Sequence, residues 1–123
     1  MQQIEQARQA IITPLMREVA HAEGVDATFV RDGIAQGRII IPRNTRRSGC
    51  RAVGIGGGLS TKINANIGTS KDCASLDEEL RKLEVAVAAG ADAVMDLSTG
   101  GDLDAIRKEI ISRCPVPLGT VPI

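Results

Sequence analysis

An α/β fold is predicted, a helical N-terminal segment followed by parallel βαβ units, and three observations predict it. Residues 1–41 carry apolar side chains at helical spacing. Residues 43–61 lose all periodicity and are rich in glycine and arginine. From Lys62 onward, extended apolar runs alternate with helical stripes, at the interval of roughly 25–30 residues that parallel βαβ units require.

The first helix rests on Ile4, Ala7, Ala10 and Ile11. Thr13-Pro14 then suits an N-cap with proline at the first helical position, although a kink in one long helix fits the same residues. Leu15, Val19 and Ala22 continue the stripe until Gly24 offers a C-cap. Asp26 can cap a further short helix bearing Phe29, Val30 and Ile34, closed by Gly37. "RIIIP" is a short buried extended run stopped by Pro42.

"RNTRRSGCRAVGIGGGLST", residues 43–61, holds four arginines and five glycines. It fails both phosphate-cradle patterns. The only nearby lysine, Lys62, follows "LST" instead of preceding a Ser or Thr, and Leu59 stands where a dinucleotide fingerprint needs glycine. A flexible linker with some anion affinity is the expectation.

"KINANIG" is the first strand of the second half. Its alternation puts Ile63, Ala65 and Ile67 on one face and Lys62, Asn64 and Asn66 on the other. Amides are poor strand formers and costly to bury unpaired, so the two asparagines ask for a partner. Ser75 with Glu78 forms a capping box for a helix over 76–89, with Leu76, Leu80, Leu83 and Val87 on one face and Gly90 at its end. "DAVMDLST" is the next strand. Asp102 caps a helix with Leu103, Ile106 and Ile110 inward, and "VPLGTVPI" is a third extended run. The chain stops there, inside an apolar strand, so the sequence is expected to be the front of a longer fold.

The bulk composition narrows the function. Fifteen basic and fifteen acidic side chains balance, which speaks against nucleic acid or membrane surfaces as partners. Phe29 is the only aromatic residue, so base-stacking platforms are excluded. No apolar run approaches the roughly 20 residues that span a bilayer, and the polar start "MQQIEQARQ" has no signal-peptide core. A cytoplasmic location is expected. Cys50, Cys73 and Cys114 are widely spaced and contain no CxxC knuckle, so they read as scattered reduced thiols with no metal site. His21, the single histidine, reads as a partly exposed helix residue.

"RDGIAQGRIIIP", "TKINANIGTS", "GADAVMDLSTGGDLDAIRKEII" and "CPVPLGTVPI" together resemble the N-terminal part of the phosphomethylpyrimidine synthase family, in the family's order and spacing from about Asp26 to Ile123. One departure lies at residues 43–50, where this chain reads "RNTRRSGC" and many members carry Asn-Ile-Asn-His, so no role is carried over for that histidine. The resemblance implies an N-terminal helical domain at 1–42, the linker at 43–61, and at 62–123 the first three strands of a (β/α)8 barrel, truncated. It implies a homodimer. It also implies radical chemistry, in which a [4Fe-4S] cluster cleaves S-adenosylmethionine and 5-aminoimidazole ribotide becomes the hydroxymethylpyrimidine phosphate of thiamine. The cluster cysteines, and the histidines that bind zinc, belong to later parts of the family pattern. The chain alone is therefore expected to be inactive.

Barrel enzymes place their sites at the C-terminal ends of the strands. The resemblance aligns the family's substrate-contacting asparagine with Asn66 and its methionine with Met95. Asn64, Asp96 and Ser98 are weaker candidates near the same strand ends; on pattern alone Asn64 stitches strands and Met95 fills core, while Asp96 either anchors a loop or touches ligand. Two other functions stay open. Hydroxybenzimidazole synthases share these motifs and this substrate, and a non-catalytic dimerisation or binding module fits a chain without cluster cysteines.

Overall fold

The computed structural model describes residues 2–121. It divides into two compact units, residues 1–48 with 52–61, and residues 49–51 with 62–123. The architecture is mixed α/β, with five helices and two small sheets among the described residues.

In the first unit, α1 (Gln3–Arg8) is shorter than its apolar stripe suggests. Ala10 takes a left-handed conformation (φ 61°), which ends the helix and leaves Ile11 exposed. A new helix, α2 (Pro14–Glu23), then begins. The Thr13 hydroxyl accepts from the Met16 amide at 3.2 Å and Pro14 stands at the first helical position, so the chain uses a cap and not a kink. Gly24 closes α2 at φ 67°. Asp26 accepts from the Thr28 amide at 2.7 Å and starts α3 (Ala27–Ala35). Met16, Val19, Val30, Ile34 and Ile39 form the unit's core.

The glycine-rich stretch expected as a linker contributes β2 (Ile55–Gly56), which pairs antiparallel with β1 (Ile39–Ile40). Ala52 and Val53 are buried. The glycines serve close approach. A Cβ on Gly56 would strike the Arg38 carbonyl, and one on Gly58 would lie 2.6 Å from the Phe29 ring.

In the second unit, β3 (Asn64–Ile67), β4 (Ala93–Asp96) and β5 (Leu118–Thr120) form a parallel sheet in the order β3-β4-β5. The helices α4 (Leu76–Ala88) and α5 (Leu103–Arg113) are the crossovers. Pro122 and Ile123, the end of the third extended run, lie outside the described residues. Ile67, Leu80, Leu83, Val94, Ile106, Ile110 and Val116 pack into the core, so the helices cover the Ile67 face of the sheet.

Two local expectations are corrected. Ile63 is not packed against the helices: it precedes β3 and is 61% exposed, although its backbone holds Asp92 and Ala93. Ser75 caps α4 by accepting from the Glu78 amide, but the return half of the box is not made. The Glu78 carboxylate accepts from the Cys73 thiol instead, at 2.8 Å.

This contact predicts a reactivity. Its hydrogen bond to the Glu78 carboxylate, then that group's charge, raises the pKa of the exposed Cys73 thiol. Alkylation at mildly alkaline pH should be slow for so exposed a cysteine, because the thiolate is the nucleophile. Glu78→Gln should speed it. Equal rates by mass spectrometry would contradict the contact.

Candidate functional site

Strand alternation divides the sheet into two faces, and the register says which residues share each. Asn66 of β3 is paired with Met95 of β4, and Met95 with Gly119 of β5. The three form one row across the sheet. They lie on the face opposite the Ile67–Val94 core, with Asn64 on the same face one step nearer the strand starts. Asn66 is exposed and Met95 half-buried. The row is close to the C-terminal ends of all three strands, one residue short of Ile67, Asp96 and Thr120.

Asn64 and Asn66 partner each other. The Asn64 Nδ2 donates to Asn66 Oδ1 at 2.9 Å, an i,i+2 bond along one strand face. With the amide orientations so assigned, Asn66 keeps its own NH₂ group to offer and Asn64 keeps its carbonyl oxygen.

Gly119 is a member of the row that the sequence does not single out. A Cβ there would come within 3.0 Å of Met95 Sδ and 3.1 Å of its Cε. The missing side chain gives the Met95 thioether its place. No left-handed φ is required at Gly119, so alanine fits the backbone. Gly119→Ala should therefore fold normally while displacing the Met95 methyl by a few tenths of an ångström. An unshifted Met95 methyl resonance in the folded variant would contradict this seat.

Asp96 and Ser98 are turned the other way. Both are buried, 0% and 1% exposed, and Asp96 shares its face with Ile67 and Val94, not with Asn66. The Ser98 amide and hydroxyl both donate to Asp96 Oδ1, and Arg107 Nε stands 3.7 Å from Oδ2. His21 lies exposed on α2. A cavity of about 680 Å³ in the first unit is lined by Ile4, Leu15, Ile34, Ile39 and Ile41 among others, and takes in no predicted site residue.

A model of the radical SAM ThiC family matches residues 2–123. The chain belongs to that family. It is 58% identical over its whole length to phosphomethylpyrimidine synthase of Desulforudis audaxviator, and 56% to that of a Thermus thermophilus strain. It is 54% identical over 120 residues to phosphomethylpyrimidine synthase 1 of Methanosarcina mazei. The chain spans 28% of the length of each of these relatives.

Membership of the radical SAM ThiC family implies an iron–sulfur cluster and S-adenosylmethionine, and this chain's thiols do not fit the cluster. The Cys50 thiol donates to the Cys114 carbonyl at 3.7 Å, Cys114 donates to the Val116 carbonyl, and Cys73 is held by Glu78. Cys114 is buried and Cys73 exposed. Among the described residues no three of His, Cys, Asp and Glu stand together as a metal site. Nor is any helix long and apolar enough to cross a membrane.

Proposed function

We propose that this chain is the substrate-contacting front part of a phosphomethylpyrimidine synthase, the enzyme that rearranges 5-aminoimidazole ribotide into hydroxymethylpyrimidine phosphate for thiamine. One observation carries the reading: Asn66 and Met95 stand side by side, in register, near the strand ends on the sheet face that the helices leave open. In this reading residues 62–123 begin a (β/α)8 barrel, whose interior is that open face. Residues 1–42 are its helical domain, and the enzyme is a cytoplasmic homodimer.

Asn66 then presents its NH₂ to an acceptor on the imidazole or ribose, held in orientation by Asn64. Met95 supplies a polarizable wall, seated by Gly119. In this reading the radical would come from a cluster with S-adenosylmethionine, and zinc would be a further cofactor. All of these would be held by ligands outside this chain.

The test uses the chain and the intact enzyme side by side. After reconstitution with iron and sulfide, the chain alone should release no 5′-deoxyadenosine, whereas the intact enzyme should release it in the presence of the ribotide. Release by the chain alone would overturn the division of labour. No turnover of the ribotide by the intact enzyme would overturn the function.

A further inference from the structure

The loops that leave β3 and β4 are joined by a buried set of side-chain bonds. Thr69, Asp96 and Ser98 are 4%, 0% and 1% exposed. Asp96 Oδ1 accepts from both the amide and the hydroxyl of Ser98. The Ser98 oxygen in turn accepts from the Thr69 amide across the two loops, at 3.1 Å. The Thr69 hydroxyl donates to the Gly100 carbonyl at 2.6 Å and accepts from the Gly100 amide at 3.4 Å. The Thr99 amide donates to the Thr69 carbonyl at 2.9 Å. Every polar atom of Thr69 is used.

The backbones are as close as their glycines allow. A Cβ on Gly68 would lie 2.7 Å from the Leu97 carbonyl carbon, and one on Gly100 would strike the Ser70 carbonyl. These contacts involve backbone, which cannot rotate away as a side chain can.

We propose that Asp96, Ser98 and Thr69 are positioning residues that clamp the two loops together just beyond Asn66 and Met95. Asp96 is the base of the clamp. Its buried carboxylate fixes Ser98, Ser98 fixes the Thr69 amide, and Thr69 grips Gly100. The clamp sets the rim from which exposed Ser70, Lys71 and Asp72 project, and it gives Asp96 and Ser98 a role that needs no contact with a ligand. It rests on the proposed function only where substrate is concerned; the clamp itself is a property of this chain.

Amide hydrogen exchange on this chain tests it, with Thr69→Val against Thr69→Ser. Valine keeps the shape and loses the hydroxyl, whereas serine keeps the hydroxyl. Thr69→Val should speed exchange at Gly100 and Thr99 by about tenfold or more, the loss expected of one buried hydrogen bond, with the Leu83 amide of α4 nearly unchanged. Thr69→Ser should restore protection. Ser98→Ala should expose the Thr69 amide by a similar factor, since it removes the bridge to Asp96. Unchanged exchange at Gly100 and Thr99, equal loss in valine and serine variants, or a uniform loss across the unit would each overturn the clamp.

In the intact enzyme, Thr69→Val should raise the KM for 5-aminoimidazole ribotide and Thr69→Ser should not. A parent enzyme that ignores the ribotide would sink the proposed function, and the exchange experiment would still decide the clamp.

Discussion

Ile110→Ala is expected to lower the stability of the strand-bearing unit by about 2–5 kcal/mol, the usual cost of emptying a fully packed aliphatic site. Ile110 has no exposed surface and packs among Leu83, Val94, Ile106 and Val116, where α4 and α5 meet the sheet. A loss of that size is a large part of a small domain's stability, roughly 5–15 kcal/mol in all, and for so short a unit it lowers the melting temperature by several degrees per kcal/mol. Ile63→Ala is the control. Chemically it is the same change, but Ile63 is 61% exposed, and an exposed site should move stability by no more than about 0.5 kcal/mol. Thermal or urea unfolding of both variants checks the pair. Similar losses from the two would mean that the start of β3 is covered at Ile63.

That contrast also shows what is legible in the sequence. Helix positions and caps are, because their signals are local: Thr13, Asp26, Ser75 and Asp102 all accept the amide that an N-cap should. The inward stripes of α4 and α5 follow from the 3.6 period alone. Ile63 departs from its expected surroundings because alternation assigns a face but not how far the covering helices reach. The β1–β2 pairing is hidden for another reason. Glycine usually signals a break in a strand, and here Gly56 lies against Arg38 because it has no side chain.

The same division runs through the candidate site. Asn66 and Met95 share a face through alternation within each strand together with the β3–β4 register. Gly119 cannot be read, since its contribution is an absence of atoms beside Met95. The burial of Asp96 is equally hidden. Carboxylates are rarely buried without partners, and its hydrogen-bonding partner Ser98 sits two residues on, in a loop whose geometry no periodicity describes.

Under the proposed function, Asn66→Ala in the intact enzyme should cost far more ribotide affinity than Asn64→Ala. Asn66 lies two residues, roughly 6–7 Å, nearer the strand end, and its NH₂ is the group left to face a ligand once Oδ1 has accepted from Asn64. Removing it leaves ligand acceptors unpaired at about 1–3 kcal/mol, a tenfold to hundredfold weakening. Asn64→Ala removes only the neighbour that orients Asn66. It should weaken binding less, and it should leave the melting temperature almost unchanged, because the bond it breaks is on an exposed face. Asn66→Asp sharpens the test: it replaces the donating NH₂ with an acceptor, so it should bind as poorly as the alanine variant. Ribotide titrations and melts on the three proteins decide the matter. Full affinity in Asn66→Asp would mean that Asn66 meets its ligand through the carbonyl, with the amide pair flipped, and equal losses at 64 and 66 would mean that neither residue alone is the contact.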